Sequence, residues 1–301
     1  MTISEFDEAT TTAEIGNLGA RFDPEVLAVT RELYRAANKA LPWAQREGIY
    51  DFAYGPHERQ RIDVYPADEP GAPVLLFVHG GGFIGGDKRA DDCFFGNVGR
   101  YFAAHGYLAI LPSYRLAPSS TWPSGNEDME GIMAWVKANA REHGGDPDRI
   151  FLLGQSAGAA HAAGYLFDPR VDRRYAGAIR AAALLSGFYQ PKEPLLAGPR
   201  LYVGDDPTQW ADRSPANHVS PSHPPLLLTV AQWDPSQIAE QTLLMASALN
   251  AVDGAPPRLI WLEGHNHVST VHGLGVGSDV LGVALRRFAE PYLRSESQQV
   301  G

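Results

Sequence analysis

A serine hydroxyl is a weak nucleophile. It needs a position clear of its neighbours, a base to take its proton, and donors for the charge that forms on attack. Ser156 stands in a stretch that meets the first need. The apolar run Ile150-Phe151-Leu152-Leu153 leads into Gly154-Gln155-Ser156-Ala157-Gly158, and the small residues Ala159-Ala160-His161-Ala162-Ala163 lead away. The pattern reads as buried strand, one-residue turn and helix. Glycines two positions either side of the serine permit a turn too tight for a side chain at either place. The hydroxyl is then lifted from the sheet edge, over the positive end of the following helix. A glycine-rich turn without chemistry has the same local pattern, so the partners must be sought separately.

On such an elbow the acid follows the serine in the chain, and the histidine follows the acid. Reacting groups gather at the carboxyl ends of parallel strands. Asp234 meets both conditions, since it lies just past the run Leu226–Val230 and before the turn-closing Pro235. Glu240 falls inside the next helix. Asp253 sits at a helix end on the opposite side of the sheet, and Asp279 comes after the histidines. Asp234 could instead cap the helix expected from Ser236 to Leu249. The run Leu259–Leu262 is followed by His265, His267 and His272. His267 is the choice, because it lies deeper in the loop and can fold back over Ser156. His265 comes soon after the strand, and His272 is the third candidate. The three histidines match no zinc spacing and have no acidic residue interleaved, so no metal is expected.

The oxyanion donors should be backbone amides. His79-Gly80-Gly81-Gly82 follows the apolar run Val74–Val78, and its glycines let the chain approach a ligand with N–H groups exposed. Gly81 and Gly82 are the expected donors, joined by Ala157. A phosphate-binding loop is the other reading. The stretch lacks both the Lys-Ser/Thr of a P-loop and the G-x-G-x-x-G spacing of a dinucleotide site, so no cofactor is expected. His79 reads as a structural residue that fixes the glycine loop. Arg115 and Asp128 could pair beside the site, or lie on a solvated helix face.

The elements that position these residues follow from periodicity. Tyr50–Tyr54 and Arg61–Tyr65 alternate and flank Gly55-Pro56-His57, which predicts an antiparallel pair at a sheet edge. Val74–Val78, Leu108–Leu111, Ile150–Leu153, Ala181–Leu185, Leu226–Val230 and Leu259–Leu262 are short unbroken apolar runs, as expected of strands buried on both faces. Helices are expected between them, over Asp91–His105, Glu127–Arg141, Ile238–Leu249 and Val280–Leu293. The result is an α/β fold, with a mostly parallel eight-stranded sheet and helices on both faces. Two segments stand outside the alternation. An amphipathic helix runs from Phe22 to Leu41, started by Asp23-Pro24. The proline-rich stretch 186–225 is too long for a simple connection and reads as an insertion. The glycines from Gly273 to Gly277 read as a flexible lead into the last helix, and the tail from Ser295 to Gly301 as frayed.

Composition limits the function classes. The chain has 301 residues, 44% of them hydrophobic, and a formal net charge of −10. That length suits one large α/β domain. The charge leaves no basic stripe for nucleic acid. One cysteine, Cys93, allows no internal disulfide. It reads as a buried helix cysteine rather than a nucleophile. No signal peptide is expected in the acidic, Thr-rich stretch from Met1 to Ala20, and no membrane span anywhere. A cytoplasmic setting follows.

His79-Gly-Gly-Gly82, Tyr114-Arg-Leu-Ala-Pro118 and Gly154-Gln-Ser-Ala-Gly158, in this order, resemble the hormone-sensitive-lipase-like esterases of the α/β-hydrolase fold. The likeness runs from about residue 45 to residue 293. Gln155 stands where that family usually has an acidic residue, and Trp233-Asp-Pro-Ser236 lacks the usual acidic residues after the proline. Gly264-His-Asn-His-Val-Ser269 and Gly85-Gly-Asp-Lys88 look more like the feruloyl-esterase-like and kynurenine-formamidase-like carboxylesterases. The resemblance implies a single α/β-hydrolase domain over 1–301, with a small helical cap built from 1–45 and 186–225. It implies a serine carboxylesterase acting on a small-molecule ester of small to medium acyl length. An arylformamidase or small amidase would use the same triad, and a non-catalytic binding protein would have lost a member of it. A homodimer is one assembly open to such a chain.

Overall fold

The computed structural model describes residues 6–294. The tail from Ser295 to Gly301 and residues 1–5 of the expected cap lie outside the described residues. The strands are β1 (Ile49–Ala53), β2 (Arg61–Tyr65), β3 (Ala72–Val78), β4 (Leu108–Pro112), β5 (Gly145–Gln155), β6 (Ile179–Leu185), β7 (Leu226–Trp233) and β8 (Arg258–Asn266). They form one eight-stranded sheet in the order β1-β2-β4-β3-β5-β6-β7-β8. β1 and β2 are the antiparallel edge pair, and β2 also runs antiparallel to β4. Every later pairing is parallel.

Leu259–Leu262 departs from the expectation of burial on both faces, because β8 is an edge strand and Leu259 and Trp261 are exposed; the other unbroken apolar runs are explained by what each face meets. Side chains alternate across a strand. On β3 and β5, Val74, Leu76, Ile150 and Leu152 face one buried cluster, while Leu75, Phe77, Phe151 and Leu153 face the other. The first face is covered by helices α4 (Ser124–Asn139), α5 (Ala157–Phe167) and α7 (Ser236–Asp253). The second is covered by α3 (Gly96–Ala104) and α9 (Val280–Leu293). Because helices cover both faces, all polar termini of the parallel strands collect at two edges, and the carboxyl edge carries the residues singled out above.

Two helices precede the sheet, α1 (Glu8–Leu18) and α2 (Pro24–Ala40). α2 starts where Asp23-Pro24 predicts, with the Asp23 carboxylate accepting from the amides of Glu25 and Val26. α1 was not anticipated. Its Thr-rich sequence buries only Thr11 and Ile15, too little for a clear apolar stripe. α3 begins at Gly96, later than the expected Asp91, because the Asp91 carboxylate accepts from the amides of Cys93 and Phe94 and bends the chain into a turn. Cys93 therefore lies in that turn and not in a helix. Burial pushes its thiol pKa up to about 11, which leaves it unreactive. The glycines before α9 make a packed turn, since Leu274 and Val276 are buried in it. Among the described residues no helix is long and apolar enough to cross a membrane.

Candidate active site

β5 ends at Gln155 and α5 begins at Ala157, so a single residue makes the turn. Ser156 holds φ 55° and ψ −122°, a conformation that L-residues rarely adopt. The tightness is visible at Gly158. A Cβ there would come within 2.0 Å of the Val78 carbonyl oxygen, so only glycine lets α5 lie against β3.

The structure brings Ser156, His267 and Asp234 together. His267 Nε2 lies 2.8 Å from Ser156 Oγ, and its Nδ1 lies 2.7 Å from Asp234 Oδ1. An ionised carboxylate only accepts, so Nδ1 carries the proton and Nε2 is left to accept from the serine hydroxyl. All three side chains are buried, with Ser156 7% exposed and His267 2% exposed. The second carboxylate oxygen of Asp234 accepts from the Ala231 amide at 2.8 Å and from Ser186 Oγ at 2.7 Å. Asp234 makes no cap to α7, whose first turn has no side-chain cap. Ser186 was missed in the sequence. The available signal is its place directly after β6, the strand between those that carry Ser156 and Asp234.

The three histidines separate by strand length. β8 continues to Asn266, so His265 is still on the strand, where its Nδ1 meets Ser269 Oγ at 3.0 Å. His267 is the first residue beyond it. His272 closes the short helix α8 (Ser269–His272) and packs on Phe94, with ring centroids 4.1 Å apart. Two anchors hold the turn between them. The Asn266 carboxamide oxygen accepts from the amides of Val268 and Ser269, and its nitrogen donates to Thr30 on α2 at 2.8 Å. Gln155 Nε2 donates to the carbonyl of His267 at 3.0 Å.

The expected donors lie in the glycine loop and at the start of α5. Gly81 and Gly82 have φ 150° and 60°, open to glycine and costly for other residues. Among the described residues, the amides of Gly81, Gly82 and Ala157 donate to no protein acceptor. His79 lies beneath the loop. Its Nδ1 meets the Gly80 carbonyl at 2.7 Å, and its ring stacks on Tyr114 at 4.4 Å. Burial holds its pKa down to about 4, so it is neutral at pH 7 and serves the loop as a strut. Arg115 and Asp128 do pair, at 2.8 Å, and Asp128 is buried rather than solvated.

A cleft of about 1040 Å³ lies at the opposite edge of the sheet among Gly71, Tyr107, Arg141 and Arg149, and none of Ser156, Asp234, His267 and the glycine loop lines it. Cavity size is a poor guide here. Ser156, Asp234 and His267 meet instead beyond the carboxyl ends of β5, β7 and β8.

Residues 62–169, which include the glycine loop and the Ser156 turn, match the BD-FAE family. The chain is 30% identical over 231 residues to the probable carboxylic ester hydrolase LipM of Mycobacterium tuberculosis, covering 68% of this chain and 52% of LipM. It is 30% identical over 266 residues to esterase LipQ of the same organism, covering 79% of this chain and 62% of LipQ. The chain thus spans between half and two thirds of the length of these relatives. Among solved structures, bacterial heroin esterase superposes with a TM-score of 0.70 at 24% identity, over 98% of this chain and 100% of that one. Esterase B from Lactobacillus rhamnosis (HN001) gives 0.74 at 17% identity, over 98% of each chain. The chain has the α/β-hydrolase fold and resembles the hormone-sensitive-lipase-like carboxylesterases.

Proposed function

We propose that the chain is a serine carboxylesterase working through an acyl-enzyme. The observation that carries this is the unbroken line Ser156 Oγ, His267 Nε2, His267 Nδ1, Asp234 Oδ1, with steps of 2.8 and 2.7 Å, beside three unengaged amides. Ser156 attacks the ester carbonyl as His267 takes its proton. Asp234 keeps the imidazole in the required tautomer and stabilises the imidazolium. Gly81, Gly82 and Ala157 bind the oxyanion, and removing one such donor typically costs about 10²–10³ in rate. The imidazolium then protonates the leaving alkoxide. Water, deprotonated by His267, releases the acid and restores Ser156.

The reading extends to the segments around the site. Residues 1–45 and 186–225 act as the cap. Phe22 stands edge-on to the His267 ring at 4.9 Å, which supports that role for the first segment. The substrate is a small-molecule ester, and the setting is cytoplasmic, in keeping with a single buried cysteine. A homodimer would use the edge strand β8, where Leu259 and Trp261 are exposed.

Ester and formamide hydrolysis share this machinery, so the test compares bonds. Turnover of p-nitrophenyl acetate is expected to exceed that of an N-formyl anilide, and Ser156→Ala is expected to abolish it. Preferential turnover of the anilide would move the reading to an arylformamidase. Full ester turnover by Ser156→Ala would remove Ser156 from the mechanism.

A further inference from the structure

The geometry points to Lys88 as a positioning residue for the oxyanion donors. Its buried ammonium, held by Asp51 and Asp63 on the antiparallel edge of the sheet, fixes the backbone against which the glycine loop rests. This rests on the reading above that Gly81 and Gly82 are donors. Lys88 closes the stretch Gly85-Gly-Asp-Lys88 and is 5% exposed. An ammonium so far from water is costly unless opposite charges meet it.

Those charges come from β1, β2 and the neighbouring residue. Lys88 Nζ lies 2.8 Å from Asp51 Oδ1, 3.6 Å from Asp63 Oδ1 and 3.7 Å from Asp87 Oδ1. Arg89 bridges the same two strand carboxylates, at 3.0 Å to Asp51 and 3.3 Å to Asp63. The Asp63 side chain is buried. β1 is irregular at this contact. Its register with β2 shifts between Ile49 and Phe52, and Asp51 takes φ 66° there, a conformation costly for a residue with a Cβ. The irregularity sets the Asp51 amide 3.0 Å from Asp63 Oδ1 and turns the Asp51 carboxylate to Lys88. A strained residue held in place by a buried ion pair is a fixed point.

From Lys88 the constraint passes to the loop through backbone. The Lys88 amide donates to Ser113 Oγ at 3.0 Å, and that hydroxyl donates to Asp87 at 2.9 Å. Arg59 donates to the Gly86 carbonyl at 2.7 Å and to the Tyr114 carbonyl at 2.8 Å. Gly85 and Gly86 then touch the glycine loop with no side chain between. A Cβ at Gly86 would come within 2.2 Å of the Gly80 carbonyl oxygen, and one at Gly81 within 1.9 Å of the Gly85 carbonyl oxygen. The Gly85 amide donates to the Gly81 carbonyl at 3.0 Å. A peptide group is planar, so a bond to the Gly81 carbonyl also sets the direction of the Gly82 N–H. In the same way the contact of His79 with the Gly80 carbonyl sets the Gly81 N–H. A shift of residues 85–88 therefore turns an oxyanion donor.

The test reads the oxyanion itself. An alkyl trifluoromethyl ketone takes Ser156 Oγ at its carbonyl carbon and His267 takes the hydroxyl proton. The carbonyl electron pair becomes an oxyanion, a charge that the bound ester lacks. The ratio of the ketone's Ki to KM for p-nitrophenyl acetate does not depend on how much of a preparation is folded. Removing a donor costs about 10²–10³ in rate, and misplacing one costs less. In Lys88→Met the ratio is expected to rise roughly tenfold, with KM within about twofold. Asp51 is half exposed, so Asp51→Asn spares the core, and a rise of about threefold is expected. Lys88→Arg keeps the charge and should raise the ratio less than Lys88→Met. Arg149→Met breaks an ion pair with Asp146, 2.8 Å away at the opposite edge of the sheet. It should lower the urea midpoint and leave the ratio unchanged. A ratio unmoved in both Lys88→Met and Asp51→Asn, or moved as far in Arg149→Met, would overturn the proposal and leave the esterase reading intact. Failure of the natural sequence to turn over any ester, with no phosphonate adduct on Ser156, would remove that reading and this one with it.

Discussion

His267 and His272 lie five residues apart after β8 and are equally buried, at 2% and 1% exposed. They have opposite surroundings. Both ring nitrogens of His267 have partners, Asp234 on one side and Ser156 on the other. Among the described residues, neither ring nitrogen of His272 has a partner. Burial holds the His272 pKa down to about 3, so it sits in the core as a neutral aromatic ring against Phe94. Residue type and burial therefore do not identify a base. What separates the two rings is the turn held by Asn266 and Gln155, which fixes the direction in which His267 leaves the strand.

That comparison breaks most severely at Gln155. Its amide donates to the His267 carbonyl, and a carboxylate cannot. Leaving such a buried acceptor unpaired costs about 1–3 kcal/mol, or roughly 5- to 150-fold in kcat if the whole cost falls on the transition state. Gln155→Glu is expected to lose that much at pH 8, where the new side chain is ionised and repels the carbonyl. Protonation restores a donor, so the ratio of variant to natural kcat should rise as pH falls from 8 to 6. Gln155→Met lacks the donor at every pH and should give a flat ratio. A flat ratio for the Glu variant as well would reduce Gln155 to packing.

The smaller effect is at His272. Its folded pKa of about 3 lies below the ordinary histidine value of 6.5. The unfolded chain therefore takes up the proton first. The stability contribution is complete above pH 6.5 and is lost as pH falls from there towards 3. By pH 5 the loss is on the order of 1–2 kcal/mol. His272→Leu removes the titrating group, so the stability difference between pH 8 and pH 5, measured by urea unfolding, should shrink by about that amount. Turnover at pH 8 should stay within about twofold, since no contact runs from this ring to Ser156. An unchanged pH dependence would mean that His272 is solvated in the native state.

The sequence was most legible where one physical demand acts on one residue type. Strands buried on both faces must be apolar throughout, and β3, β5, β6 and β7 were found on that ground alone. A turn between β5 and α5 with no room for Cβ must hold glycine, and Gly154 and Gly158 marked it. Order along the chain then selected Asp234 and His267 for the places where the structure puts them beside Ser156. Less legible were residues whose role depends on a distant partner. Ser186 holds the Asp234 carboxylate from 48 positions away in sequence. Thr30 reaches Asn266 across 236. Nothing local in either residue signals the contact. Gln155 stood out only as an exception to a family pattern, and its function became visible when His267 was found above it. The 186–225 segment was opaque for a related reason. α6 (Ala197–Val203) is short and is held by Gly82, Gly125 and Trp122 rather than by its own periodicity.

The central claim is that Ser156 is the nucleophile and that His267 activates it. Intact-protein and peptide mass spectrometry after treatment with a fluorophosphonate measures this directly. The expected result is one adduct per chain, located on Ser156, formed at least 10²-fold more slowly in His267→Ala and at the natural rate in His272→Leu. An adduct on another residue, or labelling of Ser156 that is indifferent to His267, would contradict it.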